Sequence, residues 1–170
     1  MIDSDKANAK LTQYLTEAHG KEKELEVSLA AHIGIATRPA YKKRLQAHLK
    51  ETKQHAKLVE RRLEKLGGGG VTAKATDLAS RGVAAAKGPL HAVRGTGEEE
   101  KQLKNAKTEY SEEHEEIATY TAIEALATEL GDEETAKLAR TIRRDEERMA
   151  KFLEKQIPIL TRAVVRAELS

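Results

Sequence analysis

Apolar residues recur along the chain at alternating spacings of three and four, the period of a helix with one buried face. In the first segment the line runs Leu11, Leu15, Ala18, Glu22, Leu25, Leu29 and His32, with a carboxylate at its middle. After Arg38-Pro39 a second line follows through Tyr41, Leu45, Leu49, Thr52, Ala56, Val59, Leu63 and Leu66, and the four glycines at 67–70 end it. A third runs through Leu103, Ala106, Tyr110, Glu113, Ile117, Tyr120 and Ala127, and Gly131-Asp132 supplies a tight turn. The fourth passes through Leu138, Ala139, Ile142, Glu146, Met149 and Leu153 to Pro158, which is expected to stop or kink it.

These segments predict an all-α chain of one domain, residues 1–170. It comprises a helical hairpin at 3–66, a crossover at 67–97, a second hairpin at 98–156 and a short amphipathic C-terminal helix at 157–170. Two hairpins with a tight link inside each and a long connection between them are what a four-helix bundle with one crossover requires.

Composition narrows the chemistry. Aromatic residues are 3% of the chain, so the core must come from aliphatic side chains at helical spacing. With no Cys, disulfides, thiolate zinc sites, iron–sulfur clusters and cysteine nucleophiles are excluded. The polar, acidic start and the lack of a long apolar run predict a soluble cytoplasmic protein with no membrane partner. The net charge of +2 conceals a strong division. Residues 37–66 carry 10 Lys and Arg against 3 acids, while residues 97–136 carry 3 against 13. Helices 2 and 3 are therefore expected to be attracting neighbours. The basic face of helix 2 lacks interleaved aromatics and has the acidic helix as an internal partner, so nucleic acid is not the expected ligand. The glycine run lacks the Lys-Ser/Thr ending of a phosphate loop.

An ionised carboxylate inside a core is costly unless paired or metal-bound. Glu22, Glu113 and Glu146 nevertheless fall on inward lines, and helix 2 adds His48-x-x-Glu51-x-x-x-His55 beside its own line. Each long helix thus brings an oxygen or nitrogen donor toward a shared axis near its middle. Taken singly, each has an ordinary reading: Glu22 paired with Lys21 or Lys23, the histidines as exposed helix residues, Asp145 and Glu147 as partners of nearby arginines. Taken together, they predict a metal centre. Carboxylates with one or two imidazoles suit iron or manganese, and suit zinc less well.

The run His48-Leu49-Lys50-Glu51-Thr52-Lys53-Gln54-His55 with Glu60, the run Glu113-His114-Glu115-Glu116-Ile117-Ala118-Thr119-Tyr120, and Gly131-Asp132-Glu133-Glu134 leading to Asp145-Glu146-Glu147 resemble the ferritin-like stress proteins of the YciE/YciF type. The resemblance implies a rubrerythrin- or ferritin-like four-helix bundle, a di-iron centre and a stress-related role. It implies Glu22, Glu51, His55, Glu113, Glu116 and Glu146 as metal ligands. His48, His114, Tyr120 and Asp145 are expected to stand beside the ligands or to replace one.

The usual ferritin-like arrangement has Glu-x-x-His on two helices. This chain has none, and Met149 stands three residues after Glu146. One well-formed metal position and a weaker second are therefore expected. The leading functional expectation is a di-iron protein handling iron, oxygen or peroxide under stress. As an enzyme, it would be an oxidoreductase of ferroxidase or peroxidase type. The alternative is a non-catalytic helical scaffold with a degenerate site, and a homodimer through an exposed helix face or residues 159–169 fits either reading.

Overall fold

The structure, a computed structural model, describes residues 3–67 and 97–170. Among them are four helices: α1 (Ser4–Ile35), α2 (Pro39–Lys65), α3 (Glu98–Glu129) and α4 (Glu133–Glu168). The crossover, apart from its end residues 67 and 97, lies outside the described residues.

Local chemistry sets the helix ends. The Asp3 carboxylate accepts from the backbone N–H groups of Asp5 and Lys6 and so caps α1. Pro39 opens α2, where its missing N–H has no partner to lose. Between α3 and α4, Gly131 has φ +73°. The Asp132 N–H reaches back to the Ala127 carbonyl at 2.8 Å, a left-handed helix stop that favours glycine. Asp132 then caps α4 by accepting from the Thr135 N–H.

Within each hairpin the helices pack antiparallel, α1 against α2 and α3 against α4, and the hairpins meet through α1·α3 and α2·α4. This places α2 and α3 across the diagonal, which corrects the expectation that the basic and acidic helices are neighbours. The basic and acidic segments still meet at their ends, where Arg38 at the start of α2 pairs with Glu99 of α3 and Arg62 of α2 pairs with Asp132 and Glu134 at the start of α4.

Pro158 neither ends nor separates a helix. α4 runs through it to Glu168, so the C-terminal segment expected at 157–170 is the last part of α4. Pro158 is exposed, as is Glu154, whose carbonyl it leaves without a helical N–H partner. Leu153, Leu160 and Ala163 meanwhile hold one buried line on both sides of it.

Two apolar regions fill the bundle. One, toward the α3–α4 turn, includes Leu15, Val59, Leu63, Ile123 and Ile142. The other, toward the α1–α2 turn, includes Leu29, Leu45, Met149, Leu153 and Leu160. Between them every helix turns at least one charged or imidazole side chain inward.

Candidate metal centre

Glu22 of α1, His48 and His55 of α2, Glu113 and Glu116 of α3 and Glu146 of α4 are all at most 3% exposed. Each lies on the inward line of its helix. The α1 line has all seven expected members buried. On α3 the true line is Gln102, Ala106, Glu109, Glu113, Glu116, Tyr120, Ile123 and Ala127, while Leu103, Tyr110 and Ile117 stand at its edge. Where polar residues occupy core positions, hydrophobicity selects their apolar neighbours and the predicted face rotates by about one residue.

Glu146 is the hub. His55 Nδ1 lies 2.8 Å from its Oε1, and His48 Nε2 lies 3.4 Å from its Oε2. His55 Nδ1 is also 3.6 Å from Glu22 Oε1, and His48 Nε2 is 2.9 Å from Glu113 Oε1. The donors therefore form two compact groups, Glu22–His55–Glu146 and His48–Glu113–Glu146, which share one carboxylate. The second imidazole, expected to be missing, comes from α2 itself, because His48 and His55 are two turns apart on one face.

Of the other expected residues, Tyr120 donates to Glu22 Oε1 at 2.6 Å from within the apolar region. Glu51 is half-buried outside both groups, accepting from Arg44 at 3.0 Å and facing His48 Nδ1 at 3.1 Å. Asp145 faces the outer nitrogen of His55 at 3.1 Å. His114 is exposed and lies edge-on to Tyr110 with ring centroids 4.5 Å apart, so it does not join the centre.

Among the described residues, eight buried side-chain polar atoms lack a hydrogen-bond partner; five belong to these two groups and two to Glu116, an expected ligand that is in neither. They include both oxygens of Glu116 and both of Glu146, and His55 Nδ1, whose approach to Glu146 lacks hydrogen-bond geometry. A buried carboxylate elsewhere in the same core is treated differently. Glu109, one turn before Glu113, has one oxygen 2.8 Å from His32 Nδ1 and accepts on the other from the Tyr41 hydroxyl at 2.8 Å. Glu109 escaped the hydrophobic reading, although stepping back by four from Glu113 reaches it. Glu112 was also missed. It is buried and faces the Ser28 hydroxyl at 3.4 Å.

Electrostatics reflects the crowding. Burial pushes the Glu22 and Glu113 carboxyls up to about 8. Burial, with the charges of Glu22, Glu146 and Glu113, pushes Glu116 well above the usual range. Burial alone would depress both imidazoles. Hydrogen bonds to the Glu113 and Glu51 carboxylates nevertheless raise His48 to about 10, and the nearby Glu146, Glu22 and Asp145 raise His55 to about 9. Glu146 is held below the usual range, the burial penalty being outweighed by His55 and His48.

Four carboxylates and two neutral imidazoles carry four negative charges, which two divalent cations balance. Orphaned oxygens, a shared carboxylate and nitrogen donors without thiolates make this donor set fit for iron or manganese.

No curated protein matches the chain. Among solved structures, a protein of Xanthomonas campestris pv. campestris is 27% identical, covers 96% of this chain and 99% of its own, and has a TM-score of 0.76. The E. coli stress protein YciF is 18% identical over 92% of this chain and 97% of its own, with a TM-score of 0.74. The match to YciF shows the same all-helical bundle. The family model described as a domain of unknown function, DUF892, matches residues 6–166, and the chain belongs to that family.

Proposed function

We propose that the protein is a ferritin-like metal-binding protein that holds two divalent ions, iron foremost, between its hairpins and handles iron, oxygen or peroxide under stress. The observation that carries the reading is Glu146, shared by two three-donor groups whose remaining oxygens have no hydrogen-bond partner. The stress role rests on likeness to YciF, which is described as a stress protein.

In this reading Glu22 with His55 would hold one ion and His48 with Glu113 the other. Glu146 is common to both groups, and the buried Glu116 would add the fourth negative charge. When bound, such an ion pair supplies electrons for reducing oxygen or peroxide. The chain's own part is to orient the donors from four helices and keep bulk water out with the two apolar regions. Tyr120 fixes Glu22 by its hydrogen bond, leaving the other Glu22 oxygen available.

The test is elemental analysis of protein purified without chelator, followed by anaerobic Fe(II) titration of wild type and Glu146→Ala. Two ions per chain are expected in the wild type, with both positions weakened in the variant. Less than about a tenth of an equivalent of iron or manganese in loaded wild type would end the proposal.

A further inference from the structure

The two imidazoles enter the centre by different atoms. His48 turns Nε2 inward, to Glu113 and Glu146, while His55 turns Nδ1 inward, to Glu146 and Glu22. Each ring's outer nitrogen meets a carboxylate that belongs to neither three-donor group: His48 Nδ1 meets Glu51 Oε2, and His55 Nε2 meets Asp145 Oδ2, both at 3.1 Å. A half-turn of either ring would exchange its nitrogens and aim the wrong one at the ion. A carboxylate on the outer nitrogen opposes that turn. It also holds the N–H outside and keeps the lone pair inside, as a metal-ligating imidazole requires.

The two braces share no atoms. Glu51 stands one turn from His48 on α2 and is itself held by Arg44 at 3.0 Å. Asp145 comes from α4 and is held by Arg148. Both carboxylates are partly exposed, at 31% and 21%, so neither is needed to fill the core.

We propose that Glu51 and Asp145 are positioning residues that brace the two ion positions separately, Glu51 the position built on His48 and Asp145 the position built on His55. The proposal rests on the two-ion reading above and adds that each ion can be weakened without the other.

The experiment is anaerobic titration calorimetry with Mn(II) and Fe(II) on wild type, Glu51→Ala, Glu51→Gln, Asp145→Ala, Asp145→Asn and the Glu51→Ala/Asp145→Ala double variant. It is paired with nitrogen-15 NMR of the histidine rings in metal-free and Zn(II)-loaded protein. Each single alanine variant should lose roughly 10- to 100-fold affinity at one of its two equivalents and keep the other. The double variant should lose at both. The amide variants keep an acceptor oxygen without the charge and should fall between alanine and wild type. In the NMR spectra, Glu51→Ala should shift the His48 ring nitrogens and leave His55 in place, with Asp145→Ala doing the reverse. A merely structural role would move neither ring selectively.

Equal weakening of both equivalents by each variant would overturn the proposal. So would unchanged affinities with unmoved ring signals. Wild type that binds no ion would instead overturn the two-ion reading on which it stands.

Discussion

Two glutamates two turns apart on α3 show how a core can treat a carboxylate. Glu109 has a partner on each oxygen, and Glu116 has none on either. Without metal, burial and the charges of Glu22, Glu146 and Glu113 all favour the neutral form of Glu116. Glu116→Gln therefore substitutes one neutral side chain for another of the same shape. The metal-free variant should match wild type in urea unfolding within about 1 kcal/mol, while binding metal more weakly; a large loss of metal-free stability would contradict this. The same crowding sets a pH dependence. Glu22 and Glu113 rise from 4.5 to about 8, so their contribution is full below 4.5 and lost as the pH rises through 8. His48 and His55 rise from 6.5 to about 10 and about 9, so theirs is full below 6.5 and lost through 9 to 10. Both have the same sign. Metal-free protein should melt at a lower temperature at pH 9.5 than at pH 6, whereas metal affinity should increase over that interval.

At the scale of the helix, legibility depended on what filled the core positions. α1 could be read whole because six of the seven residues on its line are apolar or imidazole and only Glu22 interrupts. α3 was misphased because glutamates and Gln102 occupy its inward positions, and an apolar count cannot recognise a polar core residue without the donors of the other helices. His48 falls beside the apolar line for a related reason, since Leu49 next to it is the better hydrophobe, and the resemblance points to Glu51 with His55 as the α2 ligands. Pro158 was overread. Local chemistry disfavours proline inside a helix, but the apolar line of α4 continues in phase past it and the packing prevails. Pro158→Ala should therefore restore a backbone hydrogen bond without moving the core. It should stabilise the protein by about 1–3 kcal/mol in urea unfolding, and a destabilised variant would show that the ring itself is needed.

For the molecule as a whole, the arrangement across the diagonal was the least legible feature. Segment charges suggested that α2 and α3 touch, yet it is the polar layer that joins them, through His48 and Glu113. Neither hairpin holds a complete donor group. Glu22 and His55 come from the first and Glu146 from the second, while His48 comes from the first and Glu113 and Glu146 from the second. Binding to the folded chain alone stabilises it by mass action, by about 2.7 kcal/mol at a free-ion concentration one hundred times the dissociation constant. The melting temperature should thus climb with free Fe(II) or Mn(II) and fall on adding chelator. If it is insensitive to both, the ions do not join the halves. Glu146 thereby acquires a second meaning, as the latch on the seam between two halves of the chain. On the two-ion reading, an empty latch would leave that seam the place where the halves part, and protease resistance should rise with the metal supplied.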